Sequence, residues 1–155
     1  MRSRVSTATP VTIGYVRQRR LVFQKRSDDG SAKADAPSTA SPNNRVWGIV
    51  YQLHLHQKPL LDQHEFLGIG YDEELVEVVH ETGTLRAWMY VARRNAIDPT
   101  LLPYSWYHDF IIHGACQHRL PRRYIDYLRS FDRLVDPNTA RESANRRLIP
   151  RVAAE

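Results

Sequence analysis

RVWGIVYQL, residues 45–53, is the stretch on which the fold reading turns. Trp47, Ile49, Tyr51 and Leu53 fall on one side of an extended chain, and Val46, Gly48 and Val50 on the other. Successive strand residues face opposite ways, so both faces are largely apolar and a central strand is predicted. After it, Pro59 suits the opening of a short helix that carries Leu60, Leu61, His64 and Glu65, with Gly68 just beyond its end. Residues 71–80 and 84–91 read as two strands around His80-Glu81-Thr82-Gly83, the spacing of an antiparallel hairpin. Ser105 reads as the N-cap of a helix whose one face holds Tyr107, Phe110, Ile111 and Gly114. Leu120-Pro121 ends that helix. Pro121 opens another, with Tyr124, Ile125, Leu128, Phe131 and Val135 in an amphipathic stripe.

Away from this block the pattern weakens. RLVFQK, residues 20–25, suits a short strand, and the Ser-, Asp-, Gly- and Pro-rich residues 27–44 read as a long loop. Residues 1–14 lack periodicity and read as a loose lead-in. Residues 136–155 read as a basic, partly disordered tail, which leaves one domain over residues 15–135. The expected fold class is α+β: a small mixed, mostly antiparallel curled sheet or barrel with flanking helices.

A chain of 155 residues, 42% hydrophobic and 25% charged, is the size of one ordinary domain with one core. It has no apolar run approaching the roughly 18–20 residues that span a bilayer, so no membrane segment is expected. The single cysteine, Cys116, excludes an internal disulfide and fits a reducing, cytoplasmic setting. The N-terminus lacks the apolar core of a secretory signal. The net charge is +5 and the pI about 9.6. The basic excess lies at the ends: Arg2, Arg4, Arg17, Arg19, Arg20, Lys25 and Arg26 all precede the first acid, Asp28. Arg17, Arg19 and Arg20 beside Tyr15 and Phe23 are compatible with a nucleic-acid track, but a solvated strand edge bearing gatekeeping charge is the commoner use of such residues, and nucleic acid is not the expected partner.

The chain has seven histidines, yet no HExxH and no Cys/His cluster, so no metal is expected. It has no G-x-S-x-G elbow, P-loop or dinucleotide fingerprint, so no organic cofactor is implied.

Four segments together resemble the gamma-glutamylcyclotransferase family, including its bacterial AIG2-like relatives. GYVRQRRLVFQKRSDDGSAKAD is similar to the family's second strand and the loop after it. RVWGIVYQL is similar to its V-W-G-V-x-Y strand. LLDQHEFLGIGY is similar to its L-D-x-x-E-G segment, with Phe66 where Gly is usual. SWYHDFIIHGACQHRLPRRYIDYL is similar to the helix, Gly-Ala turn and G-L-P-x-x-Y helix, with Arg119 in place of Gly. The resemblance implies the family's small mixed barrel with flanking helices. It implies that Glu65 is the catalytic acid/base and that Tyr107 touches substrate, with Tyr71 a further substrate-binding candidate. Ordinary roles stand beside these: a surface helix glutamate and core aromatics with satisfied hydroxyls. Asp62, one turn before Glu65, either tunes it or favours the helix start through the dipole.

The family's opening strand carries Tyr-Gly-Ser-Asn, a loop whose backbone N–H groups hold the substrate carboxylate. No such tetrapeptide occurs here. On this reading the chain opens downstream of that strand. An unpaired sheet edge and exposed apolar surface are then expected, a route to a homodimer.

The reaction implied is intramolecular aminolysis. The α-amine of a γ-glutamyl group attacks its own γ-carbonyl, 5-oxoproline forms, and an amine or amino acid leaves. Ring closure holds nucleophile and carbonyl in one small molecule. One carboxylate can take a proton from the ammonium and return it to the leaving nitrogen. His64, Phe66 and Leu67 give Glu65 a partly apolar setting, which favours the protonated acid. The alternative is a family-shaped binding module without catalysis.

Overall fold

The computed structural model describes residues 5–149. It contains strands β1 (Thr9–Arg17), β2 (Val22–Arg26), β3 (Ala32–Asp35), β4 (Arg45–Gln52), β5 (Tyr71–His80) and β6 (Gly83–Ala92). The helices are α1 (Lys58–His64), α2 (Ser105–Gln117), α3 (Arg122–Arg129) and α4 (Thr139–Leu148). Four strands form an open sheet in the order β4-β1-β5-β6, and β2 and β3 form a separate pair. Every strand pair is antiparallel, so the expected α+β class holds, as an open sheet rather than a closed barrel.

The loose lead-in expected over residues 1–14 gives way to a strand: Thr9 onward is β1, an interior strand paired along its length with β4, while residues 1–4 lie outside the described residues. β1 lies between β4 and β5 in the sheet. Gly14 makes the place possible, because a Cβ there would lie 2.6 Å from Val78 Cγ1 and 2.7 Å from the Val79 carbonyl oxygen. Pro10 and a register shift between Pro10 and Thr12 hide the strand pattern.

β4 lies at an edge of the sheet, not at its centre. Burial on a strand's faces comes from the layers above and below, whereas lateral position depends on hydrogen bonding. Val46 joins the main core with Ala115, Leu120, Ile125 and Leu128, beneath α2 and α3. Tyr51 and Leu53 pack with Val5, Ala8 and Leu61 of α1. Two apolar faces thus reported cover and not centrality.

The tail also differs from expectation. Residues 139–148 form α4, capped by Asn138, whose side chain accepts from Arg141 N at 3.0 Å. No α4 residue is buried, and polar contacts tie it down instead. Arg141 grips Asp136 through two hydrogen bonds of 2.5 and 2.7 Å, and Trp106 Nε1 adds a third at 2.9 Å. The Arg141 guanidinium is the main cause holding the Asp136 carboxyl down at about 2. Arg146 reaches Asp109 at 3.1 Å and Ser105 Oγ at 2.8 Å. A helix docked by charge has no apolar stripe to reveal it; the end of the tail, residues 150–155, lies outside the described residues.

Both positions where the resemblance expects glycine keep a glycine-like backbone. Phe66 has φ 53° and Arg119 φ 54°. Each follows the end of a helix and closes it with a six-to-one hydrogen bond, Leu67 N to Asp62 O and Leu120 N to Ala115 O. A left-handed non-glycine residue costs roughly 1–2 kcal/mol. Arg119 is exposed, and among the described residues its side chain forms no hydrogen bond or ion pair that offsets this. Arg119→Gly should therefore raise stability by about 0.5–1 kcal/mol, part of the relief being lost to the freer unfolded chain. Urea unfolding would read it as a higher midpoint at unchanged slope.

His108 of α2 is only 1% exposed. Its Nε2 lies 2.7 Å from the Leu128 carbonyl of α3, and its Nδ1 faces Arg133 at 3.4 Å. Burial depresses its pKa, and the Arg133 charge adds to the effect against the Leu128 hydrogen bond. The unfolded chain therefore binds the proton first. The His108 contribution is intact above about pH 6.5 and is lost as pH falls toward the depressed folded value. Unfolding midpoints should drop across that window, and His108→Gln should flatten the drop.

Candidate active site

Glu65, expected inside the helix, is instead the C-cap of α1, one residue past its last helical residue, and is half-buried. The chain then turns tightly. Phe66 O accepts from Ile69 N at 3.0 Å and Gly70 N at 2.9 Å, and Gly68 N donates to Tyr71 O at 2.8 Å. Glu65 and Tyr71 thus stand at the two ends of one compact loop. The Lys25 ammonium of β2 connects its walls, 6.0 Å from the Phe66 ring centre and 5.2 Å from that of Tyr71. A cleft of about 270 Å³ opens beside it, lined by Lys25, Arg26 and Asp28 on one side and Phe66, Ile69 and Gly70 on the other. Glu65 itself sits one residue before the Phe66 wall.

Tyr71 and Tyr107 converge on one residue of β3, Ala34. The Tyr71 hydroxyl donates to Ala34 O at 2.9 Å, and the Tyr107 hydroxyl accepts from Ala34 N at 3.1 Å. Both tyrosines therefore bind the edge of β3, and α2 and β5 are held against it. The adjoining Asp35 is 3% exposed; it accepts from Ala92 N of β6 at 2.8 Å and from Gln24 Nε2 of β2 at 2.7 Å. This carboxylate joins the small sheet to the large one.

Asp62 lies beyond the first turn of α1 and does not serve the helix start. Its Oδ1 receives hydrogen bonds of 2.5 Å from both Lys58 Nζ and Tyr90 OH, and Lys58 also pairs with Glu73. Partial burial acts to raise the Asp62 pKa, but the two hydrogen bonds outweigh it and hold the carboxyl below its ordinary value. Burial likewise works against the Lys58 ammonium, and its acidic partners prevail. This braced cluster fixes α1, and with it the backbone before Glu65, against β5 and β6.

At the end of β1 the chain turns through Gln18, which has φ 55°. Its N–H is already donated to Asn44 O at 2.8 Å, and its carbonyl accepts from Thr39 N at 2.7 Å. No group of three or more His, Cys, Asp or Glu gathers among the described residues to hold a metal. Among those residues no helix is long and apolar enough to cross a membrane.

Lys25, Asp35 and Lys58 escaped the sequence reading. For Lys25 the available signal is a lysine continuing the Leu21–Phe23 alternation. For Asp35 no local signal exists, because its partners lie 11 and 57 residues away.

The fold has solved counterparts. A gamma-glutamyl cyclotransferase superposes with a TM-score of 0.78 at 19% identity, over 94% of this chain and 89% of its own. The human protein described as uncharacterized protein loc79017 gives 0.76 at 20%, over 86% and 80%. YkqA of Bacillus subtilis gives 0.64 at 14%, over 81% of this chain and 46% of its own. At such identities the likeness is one of fold. No curated protein matches the chain in sequence. The model of the AIG2-like family does match it, over residues 45–128. That span holds β4, the LD-x-x-E helix, the β5–β6 hairpin and α2, more than half of the sequence, and the chain belongs to the AIG2-like family.

Proposed function

We propose that the protein is a gamma-glutamylcyclotransferase-like enzyme with Glu65 as its general acid/base. The observation that carries this is the position of the LD-x-x-E glutamate, at the C-cap of a braced helix and one residue before Phe66, which lines a cleft with a cationic wall. In the proposed reaction Glu65 takes a proton from the substrate α-ammonium. The freed amine attacks the γ-carbonyl and the ring C–N bond forms; the ring nitrogen passes its second proton to the leaving nitrogen, and the bond to that nitrogen breaks. Glu65 returns a proton to that nitrogen, so no co-reactant is consumed. Tyr71 and Tyr107 are the proposed substrate-binding aromatics, and their hydroxyls also position β3. The lone Cys116 fits the cytoplasm as the place of action.

The test is 5-oxoproline release from a panel of γ-glutamyl dipeptides, by wild type and by Glu65→Gln. Turnover that disappears in the variant supports the reading. Equal turnover in both removes Glu65 from it. A binding module on the same fold is the second reading, favoured by the use of both tyrosine hydroxyls on Ala34. Ligand retention without turnover would establish it.

A further inference from the structure

We propose that Lys25 is the carboxylate anchor of the cleft beside Glu65, holding a free substrate carboxylate through a side-chain ammonium. The inference rests on the cyclotransferase reading and names how that site recognises its substrate. The chain has three lysines. Lys33 is paired with Asp29 at 2.7 Å, and Lys58 is paired with Asp62 and Glu73. Lys25 alone forms no ion pair among the described residues; only the ring faces of Phe66 and Tyr71 attend it. Ring faces compensate a half-buried ammonium weakly, and a carboxylate does so far better.

The surroundings are shaped for this side chain. A Cβ on Gly70 would lie 2.8 Å from Lys25 Cε and 3.0 Å from Nζ. Gly70 thus leaves the space that the lysine needs. Arg26 adds a second cation to the lining, with one hydrogen bond to Asn95 O at 3.3 Å, while the exposed Asp28 supplies one negative charge. Phe66 and Ile69, 54% and 72% exposed, give the opposite wall an apolar surface. Cationic and apolar walls together suit a carboxylate joined to a short carbon chain. The backbone turn after β1 has its Gln18 N–H committed to Asn44, so the cleft supplies a cation that this turn does not.

Two carboxylates have this chemistry: that of the γ-glutamyl group and that of a leaving amino acid. The experiment compares wild type with Lys25→Met, which keeps the stem length, and with Lys25→Arg, which keeps the charge. Binding of 5-oxo-L-proline and L-glutamate is read from the Gly70 amide shift by NMR, without need of turnover. KM is measured for γ-glutamyl amino acids and γ-glutamyl alkylamines. Lys25→Met is expected to weaken carboxylate binding and raise KM at least tenfold, with partial recovery in Lys25→Arg. A rise for both substrate types assigns the γ-glutamyl carboxylate; a rise for amino-acid substrates alone assigns the leaving group. If wild type makes no 5-oxoproline, the cyclotransferase reading fails, and the NMR arm still decides on Lys25. Values for Lys25→Met within twofold of wild type, with the variant folded, overturn the proposal.

Discussion

Replacing Asp35 by Ala should lower the stability of the protein by about 3–4 kcal/mol, the largest loss expected from any single side chain in the small sheet. The carboxylate is almost fully buried, yet it accepts from Ala92 N, from Gln24 Nε2 and from its neighbour Ala36 N. Alanine would leave the Ala92 and Gln24 donors without that acceptor, and a buried donor left unpaired costs roughly 1–3 kcal/mol. Asp35→Asn keeps volume and one acceptor oxygen, and should cost about half as much. The effect should also reach the cleft. Ala34, one residue before, is held by Tyr71 and Tyr107. When β3 loosens from β6, both rings lose their anchor. Urea unfolding of the two variants checks the order; a loss under about 1 kcal/mol for Asp35→Ala would contradict the inter-sheet role.

Glu65→Gln should reduce turnover by about 10²–10⁴-fold, the usual span for loss of a general acid/base. Glutamine keeps the shape and hydrogen-bonding capacity of the side chain but cannot take up the ammonium proton. The loss should fall on kcat, with KM little changed, because the proposed substrate cleft begins one residue further along, at Phe66. The bracing of α1 through Lys58, Asp62 and Tyr90 is untouched by the substitution, so the variant should stay folded. A variant that loses KM and stability together would mark Glu65 as structural.

The parts of the fold legible in the sequence are those with a strong local period. β5 and β6 run Tyr71–His80 and Gly83–Ala92, as the hairpin spacing predicts, and Gly83 supplies the φ of 146° at the turn. Ser105 and Pro121 mark the starts of α2 and α3 to within a residue; Tyr104 and Pro121 are the caps. The elements that escaped are held by distant or polar partners. β1 depends on a close crossing at Gly14, and α4 on Arg141 and Arg146. The site divides in the same way. The LD-x-x-E segment is local and could be read. The meeting of Tyr71 and Tyr107 on Ala34 joins residues 37 and 73 positions apart, and the exchange of hydrogen bonds there is visible only in three dimensions.

The central claim is that a γ-glutamyl amide is opened by its own amine, with Glu65 carrying the proton. Turnover of a γ-glutamyl dipeptide in ¹⁸O-labelled water tests it most directly. The wild type is expected to release 5-oxoproline free of ¹⁸O, and Glu65→Gln to release none. Glutamate carrying one solvent oxygen, undiminished product from the variant, or no turnover by folded wild type would contradict it.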